Sequence, residues 1–283
     1  MVETYGAHEC RVYYVEEATY GETPTNPTML GLPAESVEPT FNPSNVKVRG
    51  IGSRDLQLIK KGSYSNRLKI AYPLPSDAPI NFLQHHMHNV GLSIQVLYYK
   101  GAWSSATDVI SLLYQGCRFD KVTVECKVED VVRASVELFA KNLLVGNAKL
   151  TGATYNDYVG AVAFHESYVK KNTSVLDRVT DWKWSIENNL REVAVIKTAG
   201  ANILKYLPYR QRNLLGESNF EFESNEELLE TTTDTEFSLE FGLGGSNKAV
   251  FSNCKWDNTS TPTKIEDLVF CKAQFAAKTV AIS

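Results

Sequence analysis

Residues 114–145 read YQGCRFDKVTVECKVEDVVRASVELFAKNLLV, and residues 251–282 read FSNCKWDNTSTPTKIEDLVFCKAQFAAKTVAI. The two stretches align without a gap at an offset of 137 residues. Eight of 32 positions are identical: Cys117/Cys254, Asp120/Asp257, Lys127/Lys264, Glu129/Glu266, Asp130/Asp267, Val132/Val269, Ala140/Ala277 and Lys141/Lys278. Unrelated segments would share about two, so the chain reads as an internal duplication. Upstream, Leu92-Ser-Ile-Gln-Val-Leu-Tyr-Tyr matches Phe237-Ser-Leu-Glu-Phe-Gly-Leu-Gly at an offset of 145. The first copy then carries about eight extra residues around Gly101–Asp108, as surface loops tolerate. Ser36-Val37-Glu38 and Ser185-Ile186-Glu187 read as the corresponding starts of the two copies.

Within each copy the hydrophobic period is two. Leu92, Ile94, Val96 and Tyr98 alternate with polar neighbours, as do Phe237, Leu239, Phe241 and Leu243, and Val132, Ala134, Val136, Leu138 and Ala140. That is the pattern of antiparallel strands with one face buried and one wet, in sheets, sandwiches or barrels. One short helix per copy is expected: Asp77-Ala78-Pro79 caps a segment running to Met87, and Asn225–Glu230 is its shorter, acid-led counterpart. Gly50–Arg54 reads as a turn before an alternating stretch, Arg54–Lys60, and Gly242–Ser246 as a hairpin turn between strands at Phe237–Phe241 and Ala249–Lys255. The chain divides into an N-terminal arm (1–35), a first domain (36–145), a connecting segment (146–181) that bridges the copies or covers an edge, and a second domain (182–283).

The 283 residues carry 29 Lys and Arg against 33 Asp and Glu, a net charge of −4. A protein that grips nucleic acid by its phosphates carries a basic excess, which this one lacks. Hydrophobic content of 43% and charge of 22% exclude wholesale disorder. No apolar run reaches the length of a membrane span, and the N-terminus shows no signal peptide. Five scattered cysteines with no CxxC pair read as reduced, mostly buried thiols.

Catalytic signatures are missing. His85-His86-Met87-His88 could offer two metal ligands, which are not a site. Gly50–Arg54 lacks the strand before and helix after that a phosphate loop needs. The Glu-Asp pairs at 129/130 and 266/267 recur at a loop-to-strand boundary and read as structural turns, and the Asn-Thr-Ser triplets at Asn172 and Asn258 as incidental. No cofactor and no enzymatic activity are expected. Charge is more informative. Glu217, Glu221, Glu223, Glu226, Glu227, Glu230, Asp234 and Glu236 follow one another without a base, while the matching part of the first copy holds Lys60, Lys61, Arg67 and Lys69. Charge runs are usually solvated faces. The sharper reading makes Lys60, Lys61, Arg67 and Lys69, with Glu217, Glu221, Glu223, Glu226 and Glu227, assembly residues through which a basic arm meets an acidic neighbour.

Several stretches, in order, resemble the phage tail tube proteins of tailed viruses. Glu17-Ala-Thr-Tyr20-Gly21-Glu-Thr-Pro24 is similar to an early E-x-T-Y/F-G-T-x-P segment of that family, followed by Ser36-Val-Glu38 and the Gly50–Arg54 turn. Trp184-Ser-Ile-Glu-Asn188-Asn189-Leu190, then Tyr209-Arg210-Gln-Arg212 through Gly216–Phe222, resemble a strand with an Asn-Asn element and the following arm and strand. Ala199–Leu204 departs from the family's turn.

The resemblance implies a mainly β protein: two tandem β-sandwich or half-barrel domains, each with one flanking short helix. It implies a structural virion protein of the tail, assembled in the host cytoplasm, whose rings stack into a tube for DNA. With a duplicated chain the ring would be a trimer with pseudo-sixfold symmetry. Implied partners are the chain itself, the baseplate or tip, tape measure and terminator proteins, and DNA only in transit. The alternatives are a carbohydrate-binding or adhesion β-sandwich, with Tyr98, Tyr99 and Trp103 as its aromatic platform, a hydrolase on a β scaffold, and the tube of a contractile injection system.

Overall fold

The computed structural model describes residues 4–76, 81–87, 90–158, 160–196, 202–233, 235–263 and 269–283. In chain order the first part holds β1 (Cys10–Glu16), β2 (Thr28–Leu32), β3 (Ser36–Asn42), β4 (Val46–Val48), β5 (Leu58–Lys60), β6 (Ser65–Pro73), α1 (Asn81–Gln84), β7 (Leu92–Tyr99), β8 (Val109–Lys127), β9 (Arg133–Ala140), β10 (Asn142–Gly146) and β11 (Thr154–Asn156). The rest holds β12 (Val169–Lys171), β13 (Ser174–Val175), β14 (Val179–Glu187), β15 (Asn213–Glu221), α2 (Glu226–Thr232), β16 (Phe237–Gly242), β17 (Lys248–Ser260), β18 (Phe270–Ala276) and β19 (Thr279–Ile282). The protein is mainly β, 52% strand and 8% helix, with large sheets not closed into a barrel.

Two long strands organise everything. The N-terminal half of β8 lies in an outer sheet ordered β2-β1-β7-β8-β10, with β11 parallel to β2. Its C-terminal half lies in a second sheet, ordered β3-β6-β9-β8-β14-β15-β18-β17. β17 leaves that sheet at its far end and enters a third, β13-β12-β16-β17-β19. The two halves repeat the same pairings, with β1, β3, β6, β7, β8, β9 and β10 matched by β12, β14, β15, β16, β17, β18 and β19.

The repetition extends to the irregularities. Cys117 stands opposite Leu92, and Cys254 opposite Phe237, each followed by a register shift. A second shift falls between Phe119 and Lys121 in β8 and between Trp256 and Asn258 in β17. The residue before each cysteine is left-handed, Gly116 at φ 63° and Asn253 at φ 53°. Such bulges change which face is buried and bend the strand, so one strand can serve two sheets. A Cβ on Gly116 would also come within 2.8 Å of the Lys141 Cβ.

Strand registers correct one sequence reading. Matching β6 to β15 through β9 and β18 aligns Ser36 with Asp181 and Thr40 with Ser185. The start Ser36-Val37-Glu38 is therefore displaced by four residues from Ser185-Ile186-Glu187. An even displacement keeps every side chain on its face, so alternation alone cannot detect it. Only Leu58–Lys60 of the expected Arg54–Lys60 strand is extended, paired with β4 in a separate ribbon. The helical cap at Asp77–Pro79 lies outside the described residues, as do His88 and the pair Glu266 and Asp267. Residues 10–16, within the segment read as an N-terminal arm, pair with β7 along their whole length. In the connecting segment, β11 and β12 extend the two outer sheets.

The core lies between the shared sheet and the two outer ones. In the first half Phe82 packs on Tyr14 at 4.7 Å and on Phe119 at 5.1 Å between ring centroids, bridging the layers. In the second half Trp182 meets Phe241 at 5.1 Å, and Trp184 meets Phe251 at 5.4 Å. Aromatic pairs of this kind add about 0.5–1.5 kcal/mol each beyond the area they bury.

Candidate assembly surfaces

Edge strands decide what this fold can join to. The seam between the halves is the antiparallel pairing of β8 with β14, from Lys127 opposite Asp181 to Lys121 opposite Glu187. Two ion pairs cross it, Lys121–Glu187 at 2.7 Å and Lys183–Glu125 at 3.2 Å.

Past the seam, residues 188–196 and 202–212 form an arm that leaves β14 and folds back onto the first half. Asn188 Nδ2 donates to the backbone oxygens of His86 and Phe119, both at 2.9 Å. Asn189 is left-handed at φ 49°, which turns the backbone so that the Leu190 N–H donates to the Asp120 carboxylate at 2.7 Å. Leu190, Leu204 and Leu207 then bury against Phe139, and Arg118 donates to the Leu207 carbonyl at 2.7 Å.

The outer ends of the shared sheet have no such cover. Among the described residues β3 pairs only with β6, and the end of β17 from Lys255 to Ser260 only with β18. On β3, Ser36, Glu38, Thr40, Phe41 and Asn42 are exposed. Between β3 and β6 projects the ribbon of β4 and β5, which exposes Val46, Val48, Ile51, Leu58 and Ile59. It occupies the place in the first half that the arm after β14 occupies in the second.

The wet face of the shared sheet is charged but balanced. Its strands carry nine cations among the described residues (Arg67, Lys69, Arg118, Lys121, Lys127, Arg133, Lys183, Lys255 and Lys272) and nine acids, two of them in the bulges (Glu38, Asp120, Glu125, Glu137, Asp181, Glu187, Glu217, Glu221 and Asp257). They fall in rows across the strands. One row runs Glu38, Lys69, Glu137, Lys121, Glu187 over five successive strands. Another runs Arg133, Glu125, Lys183, Glu217. Opposite charges directly across strands each contribute about 0.2–1 kcal/mol, and like charges there cost as much.

The residues expected to drive assembly separate into groups. Lys60 and Lys61 are exposed beside the ribbon. Arg67 and Lys69 are exposed on the wet face of β6, with the Arg67 guanidinium 4.3 Å from the centre of the Phe139 ring. Glu217 and Glu221 lie on the wet face of β15, Glu217 paired with Lys272 at 3.0 Å, and Glu223 is exposed in the following loop. Glu226 and Glu227 belong to α2, and the chain itself neutralises them. Lys171 is 2.6 Å from both Glu226 and Glu230, and Glu227 is buried, 2.5 Å from Arg178. Within the chain none of the four cations pairs with any of the five acids. The acidic run looked uncompensated because its bases, Lys171 and Arg178, lie about 50 residues upstream.

Other constellations resolve into structure. Trp103 stacks on Tyr13 at 5.6 Å and meets Tyr99 edge-on, with Tyr99 buried, so Tyr98, Tyr99 and Trp103 form no exposed platform. His85 and His86 are buried, with His86 Nδ1 2.8 Å from the Leu83 carbonyl oxygen, and no three metal-ligating side chains converge among the described residues. All five cysteines are free; burial pushes the Cys126 thiol up to about 11 and Cys254 up to about 12. No helix among the described residues is long and apolar enough to cross a membrane.

Two groups that matter were not singled out by pattern. Glu17, in the stretch Glu17–Pro24, is buried, and its carboxylate accepts the Gly21 N–H at 2.6 Å and the Gly116 N–H and Ser93 hydroxyl at 2.7 Å each. Asp120 anchors the arm, and the identity Asp120/Asp257 was its signal. A family model described as phage tail tube protein matches residues 88–277, more than half of the chain. No curated protein sequence matches it.

Proposed function

The chain belongs to the phage tail tube protein family and is a structural component of the virion tail, and from that premise we propose that it builds closed rings by sheet extension, three chains to a ring. The observation that carries this is the β8·β14 seam: one half already extends its sheet with the other, leaving one open edge at each end. An interface between two different surfaces generates a ring if the rotation closes. Each chain supplies two repeats, so three chains give a pseudo-sixfold ring, and every open edge finds a partner.

Size supports a conduit. Three sheets of eight strands make a barrel of 24. At about 4.8 Å per strand its backbone diameter is about 37 Å before tilt widens it. Side chains lining both walls leave room for a DNA duplex about 20 Å across. The wet face of the shared sheet would line that lumen. Its alternating rows already satisfy their own charge, so phosphates meet no basic excess and the duplex passes unheld. Stacked rings of this kind form the tail tube, with other tail proteins at its ends and DNA only in transit.

Electron microscopy and mass measurement of the purified protein at high concentration test the reading. Rings or tubes with a mass repeat of three chains of 31.6 kDa are expected. A monomer at every concentration, or a lumen lined by unpaired lysines and arginines, would overturn it.

A further inference from the structure

The β8·β14 seam is a worked example of what the chain's ends can do. Matching β8 to β17 and β14 to β3 by the registers above carries each pair across it to a new one. Lys121 opposite Glu187 becomes Asn258 opposite Asn42, Val122 opposite Ile186 becomes Thr259 opposite Phe41, and Thr123 opposite Ser185 becomes Ser260 opposite Thr40. The backbone beyond each strand matches as well. Asn189 at φ 49° corresponds to Ser44 at φ 42°, both left-handed two residues after the strand. Asp120, which accepts the Leu190 N–H, corresponds to Asp257, which is exposed and has no hydrogen-bond partner among the described residues. Leu190 corresponds to Asn45.

We propose that the Asn258–Ser260 edge of β17 receives Asn42–Thr40 of β3 from a second copy of this chain in that antiparallel register, with Asp257 accepting the partner's Asn45 N–H. The ribbon of β4 and β5 then takes the place of the described arm residues that follow β14, its exposed Val46, Val48, Leu58 and Ile59 meeting Leu215, which is 40% exposed where the first half has Arg67. This rests on the ring reading and names its interface.

The two seams are not equal. Pro43 stands where Asn188 donates three hydrogen bonds, and an amide pair, Asn258 with Asn42, replaces the Lys121–Glu187 ion pair. The seam between chains is therefore the weaker and the less sensitive to salt, as suits one that forms only between finished chains.

Thr40→Cys with Ser260→Cys in one full-length chain tests the register. Oxidised under ring-forming conditions, it is expected to give covalent dimers and trimers on a non-reducing gel. Thr40→Cys alone, and the slipped pair Glu38→Cys with Ser260→Cys, are expected to give none. Rings that form without the cross-link, or that prefer the slipped pair, overturn this seam and leave ring assembly standing. A wild-type chain that stays monomeric overturns both. Independently, Asp257→Ala is expected to raise the concentration needed for assembly roughly tenfold, the worth of one charge-assisted hydrogen bond, at unchanged protomer melting. An unchanged threshold removes Asp257 from the seam.

Discussion

The Lys121 ammonium lies 2.7 Å from the Glu187 carboxylate across the seam where β8 meets β14, with Glu137 on Lys121's other side. The hydrogen bond from Lys121 is the main reason the Glu187 carboxyl titrates below its ordinary 4.5, with burial opposing it. Glu217, Glu226 and Glu240 shift the same way. A carboxylate whose pKa falls on folding stabilises the fold above its unfolded value and stops doing so as pH drops through its folded one. Thermal melts should therefore hold near neutrality and fall below about pH 4.5, with Glu187→Gln losing less on acidification than wild type. Identical acid slopes for the two chains would show that the pair carries no such linkage.

Glu17 sets the N-terminal segment against the bulge at Gly116. Its carboxylate takes two backbone N–H groups and one hydroxyl, the Gly116 and Ser93 donors buried and the Gly21 donor half-buried. Glu17→Ala leaves the Gly21 and Gly116 N–H groups without their acceptor, while the Ser93 hydroxyl keeps Thr23 at 2.8 Å, and a loss of about 2–4 kcal/mol is expected in urea unfolding. A loss under about 1 kcal/mol would mean that water reaches these donors.

How far the sequence can be read depends on what each signal physically encodes. Alternation shows the strands because burial of one sheet face demands it, and the 137-residue offset shows the repeat because the bulge at Cys117 recurs with it at Cys254. The register of β3 against β14 is hidden, since Ser36 and Thr40 share a face and either alignment satisfies the core. Edges are hidden too: nothing local to Lys121 says that it meets Glu187, 66 residues on. The acidic run hid its own structure because Glu227 and Glu221 look alike until Arg178 is placed beside one of them. The identity Asp120/Asp257 was visible, but its meaning needed the Leu190 N–H.

That contrast between acids makes a prediction of its own. Arg178 and Glu227 form a buried ion pair that fastens α2 beneath Phe220, whose ring lies 5.4 Å from the guanidinium. Removing one partner strands the other without solvent, at a cost of about 3–5 kcal/mol. Glu227→Ala should therefore unfold far more readily than wild type, while Glu221→Ala, on the exposed face, should stay within about 0.5 kcal/mol. Replacing both partners, as Arg178→Met with Glu227→Leu, should recover much of the loss. Equal effects at 221 and 227 would contradict the burial of the pair.

Charge reversals should separate assembly from folding. Lys69 stands between Glu38 and Glu137 in its row, so Lys69→Glu sets three acids side by side and should lower protomer melting. Arg67→Glu removes the cation over Phe139 and the 3.9 Å approach to Glu192, loosening the arm. Lys60 and Lys61 are exposed and make no ion pair among the described residues, so Lys60→Glu with Lys61→Glu should leave melting unchanged. If the ribbon meets the acidic second half of a neighbouring chain, that same double reversal should slow sedimentation into rings and flatten its salt dependence. Glu221→Lys with Glu223→Lys should then restore assembly. Unchanged sedimentation of the Lys60 and Lys61 variant would assign ring formation to the strand edges alone, with the charges serving only solubility.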